Sequence, residues 1–254
     1  MPDRPALEAV IFDAGGTLVR LDFEWMSEWL AAQGHAVSAE ALRRSEVEGR
    51  RRYDASAAVL PDPNAPQPLG ARGDVRAYLG GMLEDAGVPE RLRQPALAAF
   101  VARQAGPGLW TRPMEGARAA IDAVRAMGLR AAVVSNSDGR AAQHLEDSGV
   151  LAGLEFVVDS QRVGVEKPDP RILEIALRNL GVEAARAIYV GDIRSVDEAV
   201  ARAAGTHVVL IDPWGDYAPG EATIASPSQL ASFLAARFTL PQPAAIHPRD
   251  ARRA

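Results

Sequence analysis

The chain has 254 residues, of which 48% are apolar and 24% charged, with a formal net charge of −5 and no cysteine. A chain of this length and apolar content buries a sizeable core, which excludes a disordered protein. The missing cysteine excludes disulfides, thiolate metal sites and cysteine nucleophiles, and the acidic balance argues against general nucleic-acid binding, which needs a basic face.

Met1 to Glu8 carry charges and lead directly into a short apolar run, Ala9–Phe12. No signal peptide or membrane span is read there, so a cytoplasmic location is expected. The run is short and continuously apolar, as a strand buried on both faces must be. The stretch from it to the next such run, roughly a hundred residues, is far longer than a crossover helix needs. It carries helical patterns over residues 23–32, 38–57, 74–86 and 91–104, and a proline-rich loop over residues 61–70. The reading is a small all-helical cap over residues 21–110, inserted after the first strand. Trp25, Met26 and Trp29 share one side of its first helix and are assigned to packing. Residues 43–52 mix both charge signs and are read as a solvated face.

Four more apolar runs follow, over residues 130–134, 154–158, 187–190 and 207–211. Helices lie between them. Asp169 is placed as an N-cap with Pro170 at the first helical position and Gly181 closing the run. Ser195 and Gly205 bracket another helix, whose Val196, Ala199, Val200 and Ala203 form one narrow apolar stripe. The fold class is therefore α/β: a parallel sheet core from residues 1–20 and 111–240, the inserted cap, and a tail over residues 241–254.

Chemistry concentrates just beyond the strands. Asp13 ends the first and is followed by Ala14, Gly15, Gly16 and Thr17; the second ends in Ser135, Asn136 and Ser137. In open parallel sheets ligands bind outside the carboxyl ends of strands, where a free helix start cradles anions. Lys167, the only lysine in the chain, precedes a helix on the same side. Gly191 and Asp192 end the fourth strand, with Asp197 close behind, and acids near Asp13 would suit a hard divalent cation. Each feature alone has a plain structural reading as a turn, a capping sequence or a chance survivor of arginine bias. His35, His144, His207 and His247 show no ligand spacing and are assigned to no metal.

As an ordered set, Asp13 to Leu18, Ser135 with Asn136, Lys167 within Gly164 to Pro170, and Gly191 to Asp197 resemble the haloacid dehalogenase superfamily. The resemblance implies a Rossmannoid core with a helical cap of the first class. It implies Asp13 as the nucleophile toward phosphorus, and Mg²⁺ held by Asp13, the Gly15 carbonyl and Asp192. Asp197 would join that metal set or orient Lys167. Lys167 would act in catalysis and, with Ser135, Asn136, Gly16 and Thr17, bind the phosphoryl group of a small phosphorylated metabolite. No membrane or nucleic-acid partner is implied.

One position departs from the pattern. Phosphatases of the superfamily carry a second aspartate two residues after the nucleophile, as general acid, where this chain has Gly15. Such assistance contributes about a hundredfold to ten-thousandfold in rate. Three readings stay open: a phosphatase with another proton source or a preference for good leaving groups, a dehalogenase-type hydrolase, and a phospholigand-binding protein without turnover.

Overall fold

The computed structural model describes residues 4–57, 74–217 and 222–241. The expected loop over residues 61–70 and all but the first residue of the expected tail lie outside them. The core is a six-stranded sheet with every neighbouring pair parallel. Its strands are β1 (Ala9–Phe12), β4 (Arg130–Ser135), β5 (Val157–Asp159), β6 (Ala187–Gly191), β7 (His207–Ile211) and β8 (Thr223–Ile224), in the order β5-β4-β1-β6-β7-β8. Side chains alternate across a strand, and here both sets are apolar. Val10, Phe12, Val133 and Val190 pack on one face; Ile11, Ala132, Val134 and Tyr189 pack on the other. The fold is thus α/β, with a Rossmannoid sheet covered on both sides.

Four of the five expected strands stand where the apolar runs lie. The fifth is shifted: Leu154 closes a turn by donating to the Leu151 carbonyl at 3.1 Å, the Glu155 N–H already reaches the Ala131 carbonyl of β4 at 2.8 Å, and the strand itself runs from Val157 to Asp159. β8, two residues long, leaves no periodic trace. Also unforeseen is an antiparallel pair, β2 (Val19–Leu21) with β3 (Trp110–Pro113), through which the chain leaves and re-enters the core.

Between β2 and β3 the described residues form five helices: α1 (Phe23–Ala32), α2 (Ala39–Arg44), α3 (Glu46–Ala57), α4 (Val75–Asp85) and α5 (Glu90–Ala105). They share their own apolar cluster, including Phe23, Met26, Leu30, Met82 and Phe100. Trp25 and Trp29 stand edge-on to Phe100, with ring centroids 5.8 and 6.1 Å apart, so their packing assignment holds. The helix expected over residues 38–57 is two. Ser38 caps the first by accepting from the Ala41 N–H at 3.1 Å, and the chain breaks at Ser45, whose hydroxyl donates back to the Ala41 carbonyl at 3.0 Å. The solvated-face reading of residues 43–52 fails at Arg50, which is 3% exposed and pairs with Asp216 of the core at 3.0 Å.

On the core side, α6 (Ala117–Ala126), α7 (Ala141–Asp147), α8 (Ser160–Val163), α9 (Arg171–Leu180), α10 (Ala199–Ala204) and α11 (Leu230–Arg237) complete the layers. α9 starts one residue later than expected: Pro170 takes the cap position, and the Asp169 carboxylate accepts the Arg171 N–H at 3.0 Å. The helix placed after Ser195 is a π-helical turn over Arg194–Glu198 that feeds α10. Such turns are frequent at functional sites. Among the described residues, no helix is long and apolar enough to cross a membrane.

Candidate functional site

The three central strands β4, β1 and β6 end side by side, which brings Ser135, Asp13 and Asp192 to one edge of the sheet. Lys167 reaches the same place from the loop after α8. Its Nζ donates to Asp13 Oδ1 at 2.6 Å, to Asp197 Oδ1 at 2.7 Å and to the Tyr189 hydroxyl at 2.9 Å. An ammonium has three hydrogens, and all three are engaged. Burial opposes its charge, but Asp13 and Asp197 outweigh burial and hold its pKa well above the usual lysine value. Tyr189 in turn donates to the Val134 carbonyl at 3.0 Å, so its oxygen faces the lysine as an acceptor.

The lysine backbone is fixed as firmly as its head. The Lys167 N–H donates to Asn136 Oδ1 at 2.8 Å, and Asn136 Nδ2 donates to the Lys167 carbonyl at 3.0 Å. The Asn136 amide is thereby spent on placing Lys167, rather than turned toward a substrate as its sequence reading had it. Asp197 is equally committed: Oδ1 takes the lysine, and Oδ2 accepts the N–H groups of Asp192 and Ile193, both at 2.9 Å. It orients Lys167 and shapes the turn that carries Asp192.

The Asp192 carboxylate makes no hydrogen bond among the described residues. Burial first, then Asp197 and Asp13, push its pKa well above the carboxylate range. Asp13 is pushed up to about 6 by burial, against the pull of Lys167 and with repulsion from Asp197. Carboxylate oxygens of Asp13, Asp192 and Asp197 lie within 4.8 Å of one another, all buried. Three buried acids face one ammonium, with the Arg50 guanidinium acting on Asp192 while it pairs with Asp216; the group is short of positive charge, and a hard divalent cation with oxygen ligands fits the donor set. No histidine joins this group among the described residues.

Glycines make the close approach possible. Gly16 has φ +74°, and a Cβ there would fall 2.1 Å from Asp192 Oδ2. At Gly191 a Cβ would lie 2.4 Å from Asp197 Cγ. Thr17 departs from its assignment: its hydroxyl is buried without a partner among the described residues and is absent from the cavity wall, to which Gly15, Gly16, Ser135, Asn136 and Lys167 contribute. Gly15 does not have a left-handed backbone. A Cβ there would meet Trp110 Cδ1 at 3.2 Å, so an indole lies tightly against the place where a general-acid side chain would begin.

Above the acids is a cavity of about 440 Å³ that reaches from the sheet edge to the cap helices, a size suited to a small molecule. Cap and core are joined beside it. Asp54 of α3 accepts the Ser195 N–H at 2.9 Å, and Gln104 of α5 donates to Asp138 at 3.1 Å. Sequence reasoning missed Tyr189, Trp110, Tyr53 and Tyr78. For Tyr189 a signal existed, since a phenol inside an aliphatic strand needs a buried partner; the other three come together only through the fold.

A family model described as haloacid dehalogenase-like hydrolase matches residues 7–205. "Haloacid dehalogenase-like hydrolase domain-containing protein 3" of Mus musculus is 30% identical over 213 residues, 83% of this chain and 84% of its own. A phosphoglycolate phosphatase of Rhodospirillum rubrum is 32% identical over 228 residues, 89% of this chain and 86% of its own. Among solved structures, a dehalogenase with an intermediate complex superposes with TM-score 0.59 at 22% identity, covering 92% of this chain and 99% of that one; at that identity the likeness speaks for the fold. The chain belongs to the haloacid dehalogenase-like hydrolases.

Proposed function

We propose that this hydrolase cleaves small phosphate monoesters in a Mg²⁺-dependent reaction that passes through a phosphoryl group on Asp13. The observation that carries the reading is the charge set at the sheet edge, with Asp13 beside Asp192 and Lys167 held between Asp13 and Asp197. A free Asp13 oxygen attacks phosphorus in line. The Asp13–phosphorus bond forms as the ester P–O bond breaks, and the leaving oxygen takes the electron pair. Water then attacks phosphorus, releases inorganic phosphate and restores the carboxylate.

Lys167 offsets charge on the phosphoryl oxygens, Ser135 offers a hydroxyl from the cavity wall, and Asn136 and Asp197 keep the lysine in place. Asp13, Asp192 and the Gly15 carbonyl would hold Mg²⁺. When bound, Mg²⁺ supplies positive charge at the phosphoryl group and keeps Asp13 ionised. Gly15 offers no proton, so the leaving oxygen departs with its charge and good leaving groups are favoured.

The phosphatase name of the Rhodospirillum rubrum relative supports this reading. A dehalogenase reading leaves the unpartnered, buried Asp192 without a task. The proposal is tested by a Mg²⁺-supplemented screen over phosphorylated metabolites, with Asp13→Asn as control. Turnover that is lost in the variant is expected; no turnover of any ester would refute it.

A further inference from the structure

Two features of the cavity bear on what its substrate carries besides phosphate. The first is the aromatic part of the wall. Trp110 Cδ1 and Nε1 lie 3.2 and 3.4 Å from the place a Gly15 Cβ would take, which sets the indole two residues along from Asp13. Tyr78 stands next to it, with ring centroids 6.5 Å apart and planes tilted by 47°. The Tyr78 hydroxyl is engaged with Glu46 at 2.8 Å, so its ring is what the cavity meets. Tyr53 of α3 is a third ring lining the cavity.

The second feature is charge. Among the described residues of the wall, Lys167 is the one lysine or arginine, and it is bound to the acids at the bottom; His144 is the other basic side chain there, and burial holds its pKa below the usual imidazole value, which favours the neutral ring. Two arginines outside the wall are held in ion pairs, and one of them, Arg50, also acts through its charge on Tyr78 and Asp192 of the wall. Arg50 pairs with Asp216 at 3.0 Å. Arg140 pairs with Asp138 at 2.6 Å and donates to the carbonyls of Gln104 and Gly106. Among the described residues the outer cavity therefore offers a second anionic group of a substrate no full positive charge, while Asp138 lines it. A desolvated carboxylate or second phosphate would be costly there, whereas an aromatic ring finds faces and edges to pack on.

Resting on the phosphoryl-transfer reading of the site, we propose that the substrate is an aryl phosphate with an uncharged aromatic leaving group, and that Trp110 is the residue that selects it. The geometry joins the two departures from the family pattern. Gly15 makes room for the indole, and the indole recognises a leaving group that needs no protonation to depart.

Binding tests this without turnover. The Mg²⁺-loaded full chain is titrated calorimetrically with phenylphosphonate and with phosphonoacetate, inert phosphonates that differ in carrying a ring or a second anion. Phenylphosphonate should bind at least about tenfold more tightly, a modest factor for an unpaired charge against a packed ring. Trp110→Phe should keep most of this preference and folded Trp110→Ala should lose it. Equal or tighter binding of phosphonoacetate overturns the proposal, as does binding of neither, or a Trp110→Ala ratio equal to wild type. Selective binding of phenylphosphonate by a chain that turns over no ester would support the pocket assignment while removing the hydrolytic reading.

Discussion

Lys167→Met keeps the length of the side chain and removes the charge on which the site converges. The ammonium is 2% exposed and satisfies Asp13, Asp197 and Tyr189 at 2.6, 2.7 and 2.9 Å. Its loss leaves two buried carboxylates and a phenol oxygen short of a donor. Removing one partner from a buried pair costs about 3–5 kcal/mol. Asp13 limits that cost by taking up a proton, since its pKa already stands at about 6 and Lys167 is what lowers it. The sign follows from proton linkage. A carboxyl whose folded pKa exceeds its unfolded value binds more protons when folded, so stability falls as pH rises from 3.8 toward the folded pKa. Without the lysine that fall extends to higher pH. In denaturant titrations with chelator present, the variant should lose about 3 kcal/mol at alkaline pH and clearly less in mild acid. Wild-type midpoints throughout, or a loss independent of pH, would refute the reasoning.

Three other outcomes follow from the same geometry. Tyr189→Phe keeps the ring and removes the third acceptor of Lys167, so a loss of about 1–2 kcal/mol in stability is expected, with kcat falling more than KM rises; steady-state kinetics and thermal unfolding check both. Asp192→Asn removes one of three crowded buried acids, so chelated protein at neutral pH should melt higher than wild type and lose the rise in Tm that Mg²⁺ gives wild type. Gly15→Asp meets the Trp110 ring at 3.2 Å without backbone strain, so a folded variant about 1–2 kcal/mol less stable is expected. A leaving-group series should show its rate on alkyl phosphates rising more than on aryl ones.

The sheet was legible wherever an apolar run was long enough to fix two buried faces, as in Ala9–Phe12 and Ala187–Gly191. It was illegible at Thr223–Ile224 and in the β2/β3 pair, where two to four residues carry no period and pairing depends on distant chain. The acids and Lys167 were visible because carboxyl-terminal strand ends converge in this topology. What the side chains do there was less so. Asn136 read as a substrate ligand, yet its amide is consumed in holding Lys167; for Asp197 the alternative of orienting Lys167 was open, and its second oxygen also holds the Asp192 turn. Arg50 looked like any other arginine of a charged helix, because its partner Asp216 lies 166 positions away. The Trp110 indole over Gly15 joins residues that sequence alone keeps far apart.

The central claim is that Asp13 carries the phosphoryl group. Enzyme mixed with an aryl phosphate and Mg²⁺, quenched and reduced with borohydride, is digested and its peptides are read by mass spectrometry. The account predicts conversion of the acyl phosphate at Asp13 to the reduced side chain, on the peptide that spans Gly15 and Gly16, and none in Asp13→Asn. Turnover with the trapped group on another residue, or undiminished turnover by Asp13→Asn, would contradict it.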